Sequence, residues 1–200
     1  DITSTNPVTV GDEIEMEIEE GAEGTAIITD ILDRRNYINR QSPSNKYQHH
    51  IIAANIDQAL LICTLKEPRT SQGFIDRFLV AAEAYHIPAI LLFNKSDIYK
   101  KKETEKFAEW KDMYESIGYK VLLVRIEKKE GLEAIQDIIK DKTTLISGHS
   151  GVGKSSFINF RPRCVISIPC FSAFFIVLGS AFLPTCHPII PAESAQNDSS

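Results

Sequence analysis

The rhythm of apolar and polar residues changes twice along the chain. Near the start, Ile14, Met16 and Ile18 alternate with glutamates, the period of a half-buried strand. Gly21 and Gly24 bracket a turn, and Thr25 to Leu32 is a second apolar, partly β-branched run. Asp33 to His50 is polar and irregular. Residues 1–50 therefore read as a small antiparallel β module.

From Ile51 to Phe160 strand and helix signals alternate. Ala59 to Leu65 is an unbroken apolar run, as in a strand buried on both faces. Thr70 and Ser71 could cap a helix carrying Phe74, Phe78, Leu79 and Ala82. Ile87 to Phe93 reads as the next strand. Phe107, Trp110, Tyr114 and Ile117 share a helical face, with Gly118 suited to its C-terminal cap. Tyr119 to Val124 is a strand, Leu132, Ile135, Ile138 and Ile139 mark a further helix, and Thr143 to Ser147 is a last strand. Repeated β-then-α units predict a parallel sheet with helices on both faces, an α/β fold over 51–160.

The third stretch, 161–200, breaks both rhythms. Pro162 stops the preceding helix, no residue from Cys164 to Ala192 is charged, and no helical or strand period stands out. Cys164 to Leu183 has the length and apolarity of a membrane span, flanked by Arg161 and Arg163. Pro169 and the serines argue against that, so a divergent end, such as translation in a shifted frame, is the expectation and a membrane partner is not. The start Asp1 to Val10 lacks a basic opening and an apolar core, so no signal peptide is expected there. The apolar fraction of 43% is ordinary for a globular protein, and a net charge of −5 does not suggest coating of nucleic acid by bulk charge. The four cysteines form no framework, and Cys63 sits in an apolar run as a small hydrophobe.

Two motifs carry chemistry. Gly148, Gly153, Lys154 and Ser155 meet the pattern of a phosphate-binding loop, G-x-x-x-x-G-K-[ST], between an apolar strand and a helical start. Its glycines let backbone N–H groups turn inward around phosphate oxygens, and the following helix aims its positive end at the same anion. The whole loop, Gly148, His149, Ser150, Gly151, Val152, Gly153, Lys154 and Ser155, is a candidate phosphate cradle. In it Lys154 would reach the β- and γ-phosphates as the catalytic cation, and the Ser155 hydroxyl would ligate Mg²⁺. Asn94, Lys95, Ser96 and Asp97 follow the strand ending at Phe93, where ligands bind in open α/β sheets. Asp97 can accept two hydrogen bonds from guanine, from the ring N–H and the exocyclic amine. Adenine lacks that pair of donors and would leave the carboxylate unpaired. Asn94 would brace the loop and the Lys95 stem would cover the base. A P-loop ATPase or kinase in which Asn-Lys-Ser-Asp is accidental is the competing reading.

The base-reading motif precedes the phosphate loop, the reverse of the usual order in P-loop GTPases. In this the sequence resembles the circularly permuted GTPases, and most closely the RsgA (YjeQ) family of small-ribosomal-subunit biogenesis GTPases. The resemblance covers Asn6 to Asn159 and includes NPVTVGD from Asn6, RRNYINR from Arg34, AANIDQALLI from Ala53, FIDRFLVAAE from Phe74, FNKSD, and SGHSGVGKSSFIN from Ser147. It implies an OB-fold, here partial, before a circularly permuted P-loop GTPase domain, with GTP or GDP and Mg²⁺ as cofactors. It further implies GTP hydrolysis coupled to late maturation of the 30S subunit, contact with 16S rRNA, and a cytoplasmic monomer. Arg34, Arg35, Tyr37 and Arg40, with Lys46, His49 and His50 nearby, are the candidates for rRNA contact.

The chain also departs from that family. Where the family carries Ser-Ala after the strand Tyr119 to Val124, this chain has Arg125 and Ile126, expected to crowd a base. Beyond Asn159 there is no DxxG and no switch threonine in a family-like context, groups that shape in-line phosphoryl transfer, so little turnover is expected. The family's zinc site is expected to be absent, because Cys164, Cys170, Cys186 and His187 do not match its spacing. A non-catalytic, membrane-tethered nucleotide-binding module is the alternative function.

Overall fold

The computed structural model describes residues 8–18, 25–41, 49–159, 165–168 and 175–178. Of the basic candidates, Lys46 and the side chains of Arg40, His49 and His50 lie outside the described residues, as do Cys164, Cys170, Cys186 and His187.

The N-terminal part is two antiparallel hairpins: β1 (Ile14–Ile18) with β2 (Ala26–Ile31), and β3 (Tyr37–Gln41) with β4 (His49–Ala54). The stretch Asp33 to His50, expected to be irregular, thus contributes β3 and most of the partner strand's start. Polar side chains on one face of a hairpin hide the alternation that a sequence scan looks for. Among the described residues these hairpins are separate two-stranded sheets, and an isolated parallel bridge between Val10 and Ala53 links the segment before β1 to β4.

A six-stranded sheet forms the centre of the molecule, in the order β7-β6-β5-β8-β10-β9. Its parallel part is β5 (Gln58–Cys63), β6 (Ala89–Phe93), β7 (Lys120–Leu123) and β8 (Thr144–Ser147). The apolar tail, which shows no strand period, adds β9 (Val165–Ile168) and β10 (Phe175–Leu178), with β10 antiparallel to β8. Helices α1 (Gln72–Ala84) and α2 (Lys101–Ser116) pack on one face of the sheet, and α3 (Glu133–Ile139) and α4 (Lys154–Asn159) on the other.

The continuous apolar run in β5 follows from this sandwich. Leu60 and Ile62 face the α3 and α4 side, Leu61 and Cys63 the α1 and α2 side, and all are fully buried. Burying each such aliphatic side chain is worth roughly 1.5–3 kcal/mol. That outweighs the missing N-cap of α1, where Ser71 makes no side-chain capping bond. Thr70, expected as a cap, instead accepts a 3.0 Å bond from the Thr64 N–H, closing the loop between β5 and α1.

The β module is tied to the sheet by RRN and AAN. Asn36 and Ile56 exchange two 2.7 Å bonds, and Asn55 donates to the Gly11 carbonyl at 2.9 Å. Gly11, at φ +90°, must be glycine: a Cβ there would sit 2.1 Å from the Ala54 carbonyl oxygen.

Candidate functional site

β5 is flanked by β6 on one side and β8 on the other, so the chain reverses its direction of sheet growth at β5. Loops leaving the carboxyl ends of strands on either side of such a point splay apart and leave a crevice. Each motif singled out in the sequence leaves a strand at that edge. Asn94 follows β6, Arg125 and Ile126 follow β7, and Gly148 follows β8.

Asn94 binds these loops to one another. Its side chain is buried, donates to the Val152 carbonyl at 2.8 Å and accepts from the Ile126 N–H at 3.1 Å. Its backbone N–H reaches the Cys63 carbonyl of β5 at 2.8 Å. One amide therefore ties the phosphate-loop motif, the base-reading motif and the loop after β7. Such a contact demands close approach. A Cβ on Gly153, at φ +105°, would lie 2.4 Å from the Asn94 Nδ2, and one on Gly148 would lie 2.4 Å from the Ile62 carbonyl oxygen. These two glycines of the motif are required by space as well as by backbone angle.

Lys95 takes the left-handed conformation, φ 61°, and its Nζ donates to the Glu67 carbonyl at 2.6 Å. Ser96 and Asp97 open a single 3₁₀ turn, Ser96–Ile98. Asp97 is exposed, and its carboxylate makes no hydrogen bond or ion pair among the described residues. Lys154 is buried, and its Nζ donates to the carbonyls of Gly148 at 2.7 Å and His149 at 2.6 Å. Burial pushes its ammonium pKa down. Val152 is fully buried, whereas Ser150, Gly151 and Ser155 face solvent. The His149 ring lies over Phe74, with centroids 3.9 Å apart.

Of the two residues expected to crowd a base, Ile126 turns inward while Arg125 stays beside the base-reading motif. The Ile126 side chain is buried in the core with Val124 and Val152. Arg125 is held by Glu130, at 2.9 Å, and donates to the hydroxyl of Ser96 in the base-reading motif, at 3.1 Å.

The sequence did not single out the loop between β5 and α1. Thr64 donates to the Pro68 carbonyl, and Pro68 lies where a Cβ on Gly151 would touch it at 3.6 Å. Tyr99 accepts from the Leu65 N–H at 3.1 Å and donates to the Asn94 carbonyl at 2.9 Å. Burial pushes its phenol up to about 12, so it stays a donor across neutral and moderately alkaline pH. The available signal was position: this loop leaves the central strand at the same edge as the motifs.

Comparison with known proteins decides the relationship. The profile of the RsgA GTPase family matches residues 31–167. The chain belongs to the RsgA GTPase family. It is 46% identical to the small ribosomal subunit biogenesis GTPase RsgA of Cytophaga hutchinsonii, over 80% of this chain and 52% of that protein. It is 48% identical to the protein of the same name from Bacteroides fragilis, over 79% and 50%. The crystal structure of YjeQ from Thermotoga maritima superposes with a TM-score of 0.68 at 29% identity, over 88% of this chain and 61% of that one. YloQ, described as a circularly permuted GTPase, gives a TM-score of 0.62 at 32% identity, over 83% and 55%. The RsgA fold, with the base-reading motif ahead of the phosphate loop, is thus the fold of this chain, which spans about half the length of the curated relatives it matches.

Three of the candidate RNA-facing residues, Arg34, Arg35 and Tyr37, have internal partners. Arg34 forms a two-pronged pair with Asp12, at 2.6 and 2.7 Å, and the Asp12 side chain is 1% exposed. Arg35 meets Asp57 at 2.9 Å but is 61% exposed. Tyr37 packs against Tyr85, centroids 5.9 Å apart. Among the described residues no His, Cys, Asp and Glu group could hold a metal ion, and no helix is long and apolar enough to cross a membrane.

Proposed function

We propose that this chain is the nucleotide-binding part of a GTPase acting in small-ribosomal-subunit biogenesis. The observation that carries the reading is the Asn94 link, by which one side chain joins the base-reading motif to the phosphate loop and to the loop after β7. In this reading Asn94, Lys95, Ser96 and Asp97 hold the base, and Gly148, His149, Ser150, Gly151, Val152, Gly153, Lys154 and Ser155 hold the phosphates. The residues suit such a ligand. Gly148 and Gly153 let the loop lie against Ile62 and Asn94, where a Cβ would clash, Asp97 offers an unpaired carboxylate to guanine, and Lys154 brings a desolvated cation to anionic oxygens. Ser155, exposed at the start of α4, is the proposed ligand of Mg²⁺, which when bound would neutralise charge on the phosphates.

Lys154 has a preorganised role. It is held to the loop's own carbonyls, so its charge needs little reorganisation to serve a phosphate. Binding is proposed to exceed turnover, because no DxxG or switch threonine in a family-like context follows Asn159. The ribosomal partner rests on the names of the relatives, small ribosomal subunit biogenesis GTPases. The 30S subunit and its 16S rRNA, a cytoplasmic location and a monomeric chain follow from that reading. The β module of 1–50 is proposed as part of an OB-fold ahead of the GTPase domain of 51–160, with the apolar 161–200 beyond it. Arg35, Tyr37 and Arg40 are its proposed RNA contacts, while Arg34 orients the module through Asp12.

Labelled GDP tests the assignment. Binding should be competed by GTP far better than by ATP, and Lys154→Ala and Asp97→Ala should each abolish it. Binding unaffected by both substitutions refutes the site, and equal competition by ATP favours a P-loop ATPase. Hydrolysis well above a Lys154→Ala control refutes the claim of little turnover.

A further inference from the structure

The phosphate loop is gripped along its length. Asn94 holds the Val152 carbonyl, and Pro68 backs Gly151. At its start the loop is held by a different device, the His149 ring lying over Phe74 at 3.9 Å with 31° between the planes. Phe74 sits in the first turn of α1, its N–H bonded to the Ser71 carbonyl at 3.1 Å. Phe74 is half-buried and packs against the core cluster that holds Ile75, Leu79 and Trp110. Phe74 also borders a cavity of about 180 Å³ shared with Ile38, Ala59, Phe78, Leu145 and Ser147. Its exposed side meets the His149 imidazole, and that same histidine supplies one of the two carbonyls that receive Lys154.

We propose that Phe74 is a positioning residue for the nucleotide: by stacking on His149 it fixes the first peptide of the phosphate loop, and with it the Lys154 ammonium, in the conformation that receives phosphate. The inference rests on the nucleotide-binding reading and adds a residue outside both motifs. Stacked aromatic pairs contribute about 0.5–1.5 kcal/mol beyond area burial, a two- to roughly tenfold effect on affinity at 1.4 kcal/mol per decade. Because the stack acts by preordering the loop, its loss should appear chiefly as faster release.

The test is a double-mutant cycle on the full chain with fluorescent GDP and Mg²⁺, with affinity, release rate and thermal midpoint read together. Phe74→Leu keeps an apolar side chain of good helix propensity. It is expected to weaken GDP binding two- to tenfold through faster release, while Phe74→Trp restores a stacking partner and stays within twofold of the unaltered chain. In a His149→Ala background Phe74→Leu should cost nothing further. Unchanged GDP release in Phe74→Leu overturns the proposal, as does equal weakening by Leu and Trp, or full additivity with His149→Ala. Failure of the unaltered chain to bind GDP overturns the nucleotide reading itself, an outcome distinct from binding that ignores Phe74.

Discussion

Replacing Asn94 by alanine tests whether one amide holds the crevice together. The substitution removes a 2.8 Å bond to the Val152 carbonyl and a 3.1 Å bond from the Ile126 N–H. Both partner residues are buried, Val152 fully and Ile126 to 3% exposure, so water cannot readily replace what is lost. An orphaned buried donor or acceptor costs about 1–3 kcal/mol, so the pair should cost roughly 2–5 kcal/mol. Set against a total stability of about 5–15 kcal/mol, that is a large fraction. At about 2–4 °C per kcal/mol for a chain of this size, the thermal midpoint should fall by on the order of 10 °C. Asn94→Asp supplies the mechanistic control. It preserves the acceptor for Ile126 but turns a donor into an acceptor against the Val152 carbonyl. At neutral pH it should be at least as damaging as alanine. Its carboxyl pKa should be raised, so acidification protonates it, restores a donor and recovers stability. Denaturant unfolding and amide exchange at Ile126 are the assays. An Asn94→Ala variant within about 0.5 kcal/mol of the parent, or an Asn94→Asp variant that melts like the parent, refutes the reasoning.

Three other expectations are open to measurement. Because burial lowers the Lys154 pKa, the folded state resists protonating it; the cost is full below that lowered pKa and fades as pH climbs to the ordinary lysine range. Phosphate should reverse the shift, so calorimetry in two buffers, repeated as pH climbs toward the ordinary lysine range, should reveal proton uptake on binding GDP but none with guanosine. Lys100 is the N-cap of α2 and makes no side-chain cap bond, while Glu103 already accepts from its N–H at 2.9 Å. Lys100→Ser completes the capping box and should stabilise the chain by about 1 kcal/mol, seen as a higher thermal midpoint. Arg34→Ala strands the Asp12 carboxylate and should cost about 2–3 kcal/mol at neutral pH, between the values for exposed and buried pairs. Burial alone would raise the Asp12 pKa, but the bonds from Arg34 and Thr9 outweigh it and hold it low. In the parent this contribution is present above the ordinary aspartate range and is lost as pH falls through the lowered value, so acid unfolding should show it and the variant should not.

The sheet was legible because its strands are buried on both faces: Ala59 to Cys63 admits no polar interruption, and each helix that follows carries its apolar stripe. The site motifs were legible because phosphate cradles constrain sequence tightly, with Gly148 and Gly153 required by contacts of 2.4 Å. Three features stayed hidden. Strands β3 and β4 carry polar residues at hairpin positions, and their pairing depends on partners distant in sequence. Whether Ile126 points at the base or into the core depends on how α3 and α4 pack, which no local pattern records. Arg34 and Arg35 read as free cations until the fold brings Asp12 and Asp57 beside them, 22 residues away in each case.

Trp110 is the sole tryptophan of the chain. It lies buried on α2 with its ring 6.2 Å from Phe93, and the Lys106 ammonium is 4.5 Å above it. Phe93 is the residue immediately before Asn94. The molecule therefore contains an intrinsic fluorophore one ring removed from the base-reading loop. Its emission can follow the loop without an added label. Changes in wavelength would report water entering beside Phe93, and changes in intensity would report movement of the cation over the indole. A single optical channel thus watches one wall of the crevice, and the stability and ligand experiments above can be read from it in the same cuvette.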